Sequence, residues 1–254
     1  SGVTEPISIT GSGILSNGAI RNTANSNTIS GAVTLLTSSS EIQSDSGTLT
    51  LSGGITGTNI ALTVDAVGDV SSAAITTGSG TLTKSGSGTL TLSGANTYSG
   101  ATTISASGGT ISVTGTLGAS ASPASYAGVI TINSSGTLAM SPSAAQTLSG
   151  QITGAGAVTK AGSSTLTLSS NTSNYTGTTT VSAGSLKITQ ASSLGSSSAG
   201  QGTNVSDGGT LEIATSSTVA EPLTVSGAGA SSAGALNFSA AGTLSGTVAL
   251  AADS

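Results

Sequence analysis

Few side chains in this sequence could do chemistry. There is no His and no Cys, and the 254 residues include only 4 Lys and Arg and 9 Asp and Glu. A Ser or Thr nucleophile needs a base to take its proton. Without His the candidates narrow to a Ser–Lys dyad around Lys84 or Lys160. Both lysines sit at the same phase of a repeat, which reads them instead as solvated rung positions. Polysaccharide hydrolysis or elimination needs paired carboxylates, often with a metal or Arg. Asp65 with Asp69, and Glu41 with Asp45, are the close acidic pairs. Their spacing suits two turn residues as readily as two Ca²⁺ ligands, and the Gly-Gly-x-Gly-x-Asp nonapeptide of calcium-binding solenoids is absent. Four basic residues, Arg21, Lys84, Lys160 and Lys187, cannot line a phosphate track, so nucleic acid is excluded as a partner. Without Cys there is neither disulfide nor thiolate metal site. The Gly-rich runs are not phosphate loops, because no strand–loop–helix unit aims a helix terminus at them. The sequence therefore assigns no catalytic, cofactor-binding or metal residue, no cofactor and no enzymatic activity.

Binding chemistry has more candidates. Tyr98 and Tyr175 could contact a sugar or a partner, but their equal repeat phase favours packing at a corner. Asn96, with Asn171 or Asn174, is expected in an internal ladder where side-chain amides satisfy a bend. The pairs Thr48/Thr50, Thr89/Thr91, Thr165/Thr167 and Thr178/Thr180 could form a flat glycan- or ice-binding array. The first three are separated by 41 and then 76 residues, so they are not expected to tile one face in consecutive rungs.

The elements that must hold these residues are short strands. Leu49-Thr-Leu51, Leu90-Thr-Leu92 and Leu166-Thr-Leu168 alternate apolar and polar, which places two Leu on one side of a strand and Thr on the other. Val33-Thr-Leu35, Ile111-Ser-Val113, Ile130-Thr-Ile132, Leu186-Lys-Ile188, Leu211-Glu-Ile213 and Val248-Ala-Leu250 read the same way. Gly, Asn, Asp and Ser punctuate them as turns, and no stretch keeps a helical period. Hydrophobic residues are 35%, aromatics 2%, and mean hydropathy is +0.28. Disordered chains pair low hydrophobicity with high net charge; here the formal charge is only −5. Small aliphatic side chains suit a narrow stacked interior. No run of about 18 apolar residues offers a membrane helix. No signal peptide is visible at Ser1, so the chain reads as a mature or internal fragment.

Repetition decides the architecture. Ser-Gly-Thr-Leu-Thr-Leu-Ser-Gly occurs at 46–53 and 87–94, with the variant Ser-Ser-Thr-Leu-Thr-Leu-Ser-Ser at 163–170. A shift of 216 lays residues 1–22 on 217–238. Ser1, Val3, Glu5, Pro6, Gly11, Gly13, Ser16, Gly18 and Ala19 recur as Ser217, Val219, Glu221, Pro222, Gly227, Gly229, Ser232, Gly234 and Ala235. The expected organisation is one large unit over 1–216 and the start of the next over 217–254. Equivalent residues are expected at the same corner and the same inner strand of one continuous stack, without end caps. The fold expected is all-β, a right-handed single-stranded parallel β-helix (β-solenoid) with coils of roughly 20–25 residues. A β-sandwich would leave a long-range repeat in register unexplained.

The segment 82–106 closely resembles the autotransporter-associated β-strand repeat. Its signature Gly-x-Leu-x-Leu-x-Gly-x-Asn-x-Tyr-x-Gly-x-Thr-x-Ile is carried by Gly88, Leu90, Leu92, Gly94, Asn96, Tyr98, Gly100, Thr102 and Ile104. A second copy has Ser164 and Ser170 in place of two glycines and one extra residue before Tyr175. Residues 205–213 and 220–227 resemble the family's spacers. The resemblance implies a right-handed parallel β-helix at the bacterial cell surface or outside the cell, with an adhesion or stalk role and no catalytic residue. Expected partners are neighbouring repeat units or copies of itself end to end, surface glycans or other cells. The leading function is a structural shaft, stalk or filament. A ligand-binding Thr-rich face is the alternative, and a polysaccharide-active enzyme the third.

Overall fold

A computed structural model describes residues 2–118, 123–197 and 202–251, apart from the side chain of Ser38. Ser1 and 252–254, which belong to the two expected units, lie outside the described residues.

Thr-Leu-Thr-Leu at 48–51 shows why the strands stack. Leu49 and Leu51 are buried and the threonines between them are half-exposed. A strand of four residues cannot bury an apolar face by itself, and its backbone groups need partners on both sides. Both needs are met by the turns before and after it. Thr48–Leu51 pairs in parallel with Asn27–Ile29 on one side and with Asp69–Ser72 on the other. Continued along the chain, this pairing gives an 11-stranded sheet from Asn27–Ile29 to Val248–Leu250. Successive equivalents in its inner column, Ile29, Leu51, Ser72, Leu92, Val113, Met140, Lys160, Val181, Val205, Val225 and Leu250, lie 20–27 residues apart. Every strand pair is parallel, so the chain is a β-solenoid of one coil per step.

Three faces share each coil. The first begins with Ile7–Gly11 against 33–35 and Ile55–Thr56. It is continued further along the stack by Gln146–Leu148, Thr165–Leu168, Gly184–Ile188, Gly209–Ile213 and Leu236–Phe238. The second holds Ala61–Ala66, Leu82–Ser85, Thr102–Ile104, Ile130–Ile132 and Ile152–Thr153. The 11-stranded sheet is the third. Val33–Ser44 runs from the first face into the second without a break. Among the described residues there is no α-helix, only two 3₁₀ turns, Ile14–Ser16 and Ala230–Ser232. No helix is long and apolar enough to cross a membrane.

Leu49, Leu51, Leu90, Leu92, Leu166 and Leu168 all point inward, with at most 3% of their surface exposed. They do not share a face. The first four belong to the third face, whereas Leu166 and Leu168 lie on the first, beside Gln146 and Leu148. The sequence repeat thus specifies a strand–corner–strand path and not a side of the solenoid.

The two stretches related by 216 residues behave the same way. Val3 bridges Ile29 as Val219 pairs with Leu244. Ile7 and Ile9 pair with Val33 and Leu35, as Leu223 and Val225 pair with Val248 and Leu250. The two 3₁₀ turns fall at corresponding positions, with φ of 56° at Leu15 and 50° at Ser231. The local path recurs, but Ile7–Gly11 lies on the first face and Leu223–Val225 on the third. Glu5–Pro6 and Glu221–Pro222 therefore occupy equivalent positions along the chain at different corners, which corrects the expectation of a shared one.

Candidate functional site

The two repeat-phase lysines are not solvated. Lys84 and Lys160 are both 0% exposed. Alternation explains the direction: Lys84 shares the inward side of its strand with Leu82, and Lys160 with Val158. The stem of Lys84 stacks in an apolar column between Val64 and Ile104, and that of Lys160 between Met140 and Val181. Each ammonium then reaches the corner at the end of its strand and donates to backbone carbonyls. Lys84 Nζ donates to Ser85 (2.6 Å), Gly86 (2.7 Å) and Ala66 of the preceding coil (3.2 Å). Lys160 Nζ donates to Ala161 (2.7 Å), Gly162 (2.7 Å) and Ala183 of the following coil (3.0 Å). Each ammonium spends its three donors on three carbonyls at a bend; of these, Ala66 also accepts from Gly88 N–H at 2.7 Å. Burial lowers both lysines to about 8; for Lys84 the charges of Asp65 and Asp69 act in the opposite direction. These are structural corner ties, and no Ser–Lys dyad forms around either.

The tyrosines also pack corners, as their phase implied. Tyr98 and Tyr175 are fully buried, and each hydroxyl meets a threonine four residues on, Thr102 at 2.8 Å and Thr179 at 2.6 Å. Tyr126, a third tyrosine outside the repeat, crosses Tyr98 edge-on at 5.6 Å between ring centroids. Its hydroxyl donates to the Gly100 carbonyl and meets Thr102 Oγ1 at 2.7 Å. With that proton spent, Thr102 donates to Tyr126 and accepts from Tyr98, giving one directed chain. Burial raises all three phenols: Tyr126 to about 12, with Tyr98 and Tyr175 above the usual range.

Of the expected amide ladder only Asn96 faces inward. Asn96 is buried; it accepts from Ile75 N–H (3.0 Å) and donates to Gly94 and Thr116 carbonyls (2.8 and 3.0 Å). Asn171 and Asn174 are exposed. In the second copy Ser173 takes the Asn96 place, accepting from Ile152 N–H at 3.2 Å. The extra residue before Tyr175 moves both asparagines off the inward phase. Gln146, which no motif marks, ties the coil above it by bonding both Leu117 N–H and Leu117 C=O and the Ala124 carbonyl.

The acidic pairs do not converge. Asp65 lies at the outward end of a second-face strand, whereas Asp69 opens a third-face strand and accepts from Thr89 N–H at 2.8 Å. Asp45 pairs with Arg21 at 2.7 Å, and that hydrogen bond holds its carboxyl low. Glu41 is raised, by burial first and then by Asp65. Among the described residues no group of three metal-ligating side chains forms. Lys187 and Glu212 pair across neighbouring first-face rungs at 2.8 Å. Glu221 is the carboxyl that sequence reasoning missed. It is only 4% exposed, accepts from Thr203 Oγ1 at 2.9 Å, and burial raises it to about 7.

The threonine pairs divide between faces. Thr48/Thr50, Thr89/Thr91 and Thr178/Thr180 belong to the third face, and Thr165/Thr167 to the first. The longest run of outward threonines comes from single residues outside these pairs. Thr63, Thr83, Thr103, Thr131 and Thr153 follow one another on five successive rungs of the second face, each half-exposed.

Residues 82–113 and 158–188 each match the family model of the passenger-associated transport repeat. The first match begins on the second face and the second on the third, so it too follows the strand path. No curated protein and no solved structure matches the chain.

Proposed function

We propose that this β-solenoid is a structural module of a long repetitive bacterial surface protein, serving as an adhesin shaft, stalk or filament outside the cell. The observation that carries the reading is the match of two stretches to a passenger-associated transport repeat, lying in one uninterrupted parallel stack. An ordered run of inward aliphatics, buried lysine ties and tyrosine corners is what a load-bearing rod requires. Successive coils support one another only through neighbours, so length is added without a new core. The large unit 1–216 and the beginning of another at 217–254 are read as parts of one continuous solenoid, with neighbouring units or further copies as its partners. Its sense is taken as right-handed, the hand that parallel crossovers adopt. The test is electron microscopy of the full-length gene product on cells. A surface rod gaining about 4.8 Å per coil is expected; a compact particle retained inside the cell overturns the reading.

The second-face threonine column favours one further reading, a surface that binds a glycan. Glycan-array binding lost on Thr103→Lys supports it, and binding unchanged by that substitution removes it.

A further inference from the structure

The loop around Ile14 carries two large apolar side chains with nothing over them. Ile14 is 86% exposed and Leu15 88%. The backbone that presents them is strained, with φ of 56° at both Leu15 and Ser16, a region that costs a side-chain-bearing residue energy. The chain supplies its own control for why such a loop exists. The counterpart 3₁₀ turn Ala230–Ser232 has the same shape, with small residues in place of Ile14 and Leu15. Large apolar side chains are therefore not needed to form the loop.

What the counterpart touches identifies what Ile14 lacks. The Ala230–Ser232 turn leans on Gly184–Ile188, a strand of an earlier coil. Ala230 N–H donates to Thr210 Oγ1 at 2.8 Å, and that hydroxyl donates to the Gly234 carbonyl at 2.8 Å. One threonine of the coil below closes the loop. Ala230 is half-buried and Gly229 buried, whereas Ile14 and Gly13 are exposed. The same contrast extends along the stretch: Glu221 is 4% exposed and its counterpart Glu5 is exposed.

We propose that the Ile14 loop is the docking surface for a further solenoid coil stacked against Ile7–Gly11. That coil has the chemistry of Gly209–Ile213: an outward threonine hydroxyl for Ile14 N–H and the Gly18 carbonyl, as Thr210 serves Ala230 and Gly234. The occupant is another rung, not a lipid surface. With only 4 basic residues and a net charge of −5, the chain has little to attract an anionic bilayer. This inference rests on the long-solenoid reading and adds the contact through which one unit joins the next.

The test places a copy of residues 179–216 directly before residue 1, which sets the copied threonine at the same separation from Ile14 as Thr210 has from Ala230. The extended chain is expected to melt higher than the 254-residue chain. Ile14→Ser is expected to lower its midpoint by about 2–4 °C while leaving the midpoint of the unextended chain unchanged. Replacing the copied threonine by Val should reduce the gain. An added segment that orders, while Ile14→Ser has the same effect on both chains, overturns the docking surface and leaves the long solenoid standing. If the added segment stays unfolded, both readings fall together. Dimerisation of the unextended chain that Ile14→Ser abolishes assigns the surface to a second copy and also overturns the proposal.

Discussion

Lys84 and Lys160 make the same corner tie on two different faces of the solenoid. Each ammonium donates to the carbonyls of the first and second residues after it, Ser85 and Gly86 in one case and Ala161 and Gly162 in the other. The third bond goes to the preceding coil for Lys84 and to the following coil for Lys160. A charge at an inward position is thus part of the stack, because its stem extends the apolar column and its head replaces donors that the turn lacks.

Lys84→Met keeps the stem and removes the donors. The Ser85 and Gly86 carbonyls lose this donor, whereas Ala66 keeps the Gly88 N–H, and a buried unpaired group costs about 1–3 kcal/mol. Lys187→Met removes a half-exposed surface pair, where about 0–1 kcal/mol is expected. Urea unfolding midpoints of the two variants measure the difference. A Lys84→Met protein as stable as the parent means the ammonium is not a tie.

Gly109 and Gly184 leave room for the two heads. Their φ values are +84° and +65°, and an added Cβ would stand 2.9 Å from Lys84 Nζ and 3.0 Å from Lys160 Nζ. It would also stand 2.4 Å from the Gly86 carbonyl oxygen and 2.3 Å from that of Gly162. Gly109→Ala and Gly184→Ala are each expected to destabilise by more than about 1 kcal/mol. Because the closest clash is with backbone, Lys84→Met should not rescue Gly109→Ala. Full rescue would show that the lysine head, and not the backbone, is the obstacle.

Stability should depend on pH through Glu221. Its folded value, about 7, lies above its ordinary value of 4.5. Between these the unfolded chain holds fewer protons, so stability is fully present below about 4.5 and is lost as pH rises through 7. The span corresponds to an effect on the order of 3 kcal/mol. Glu221→Gln removes it. Thermal midpoints of parent and variant should converge at acid pH and separate in favour of the variant above pH 7; parallel curves count against a buried, unpaired carboxylate.

At alkaline pH two effects oppose each other. The lysines fall from 10.5 to about 8 on folding. Between those values the unfolded chain holds more protons, so their contribution rises with pH over that window. A neutral amine escapes the desolvation cost and still has two N–H donors. The buried phenols act in the reverse sense. Their folded values are raised above 10, so the stability they supply is present below 10 and lost as pH climbs through about 12 at Tyr126 and higher at the other two. The loss above pH 10 should weaken in Tyr126→Phe, followed by phenolate absorbance. Ionisation of Tyr126 at pH 10 in the folded protein would contradict its burial.

Inside and outside differ by one residue. Leu90 is 0% exposed between Val70 and Ile111, whereas Thr91 is half-exposed between Ser71 and Ser112. Leu90→Asp places an unpaired charge in an aliphatic column, with a loss above about 4 kcal/mol expected. Thr91→Asp should stay within about 0.5 kcal/mol. Equal losses of thermal stability would reverse the assignment of the two sides.

The sequence by itself determined which side of each strand faces inward, because alternation is a local property that survives any arrangement of the corners. Leu49, Leu90 and Leu166 were readable as interior, and so in principle was Lys84, two residues after Leu82. Its charge argued for solvent only because the carbonyls that satisfy it belong to a bend and a neighbouring coil that no local pattern reveals. The shared phase of the repeat copies likewise made Tyr98 and Tyr175 legible as corner residues.

Only the tertiary structure decided which face each strand joins. Corner lengths vary, so Leu90 and Leu166 arrive on different sides after different numbers of bends. The insertion before Tyr175 changes the inward residue from an asparagine to Ser173. Contacts between coils, such as Gln146 with Leu117 or Thr210 with Ala230, join residues 29 and 20 apart in the chain. They depend on the summed lengths of intervening bends, and that sum is fixed by packing around the whole coil, not by any one stretch of residues.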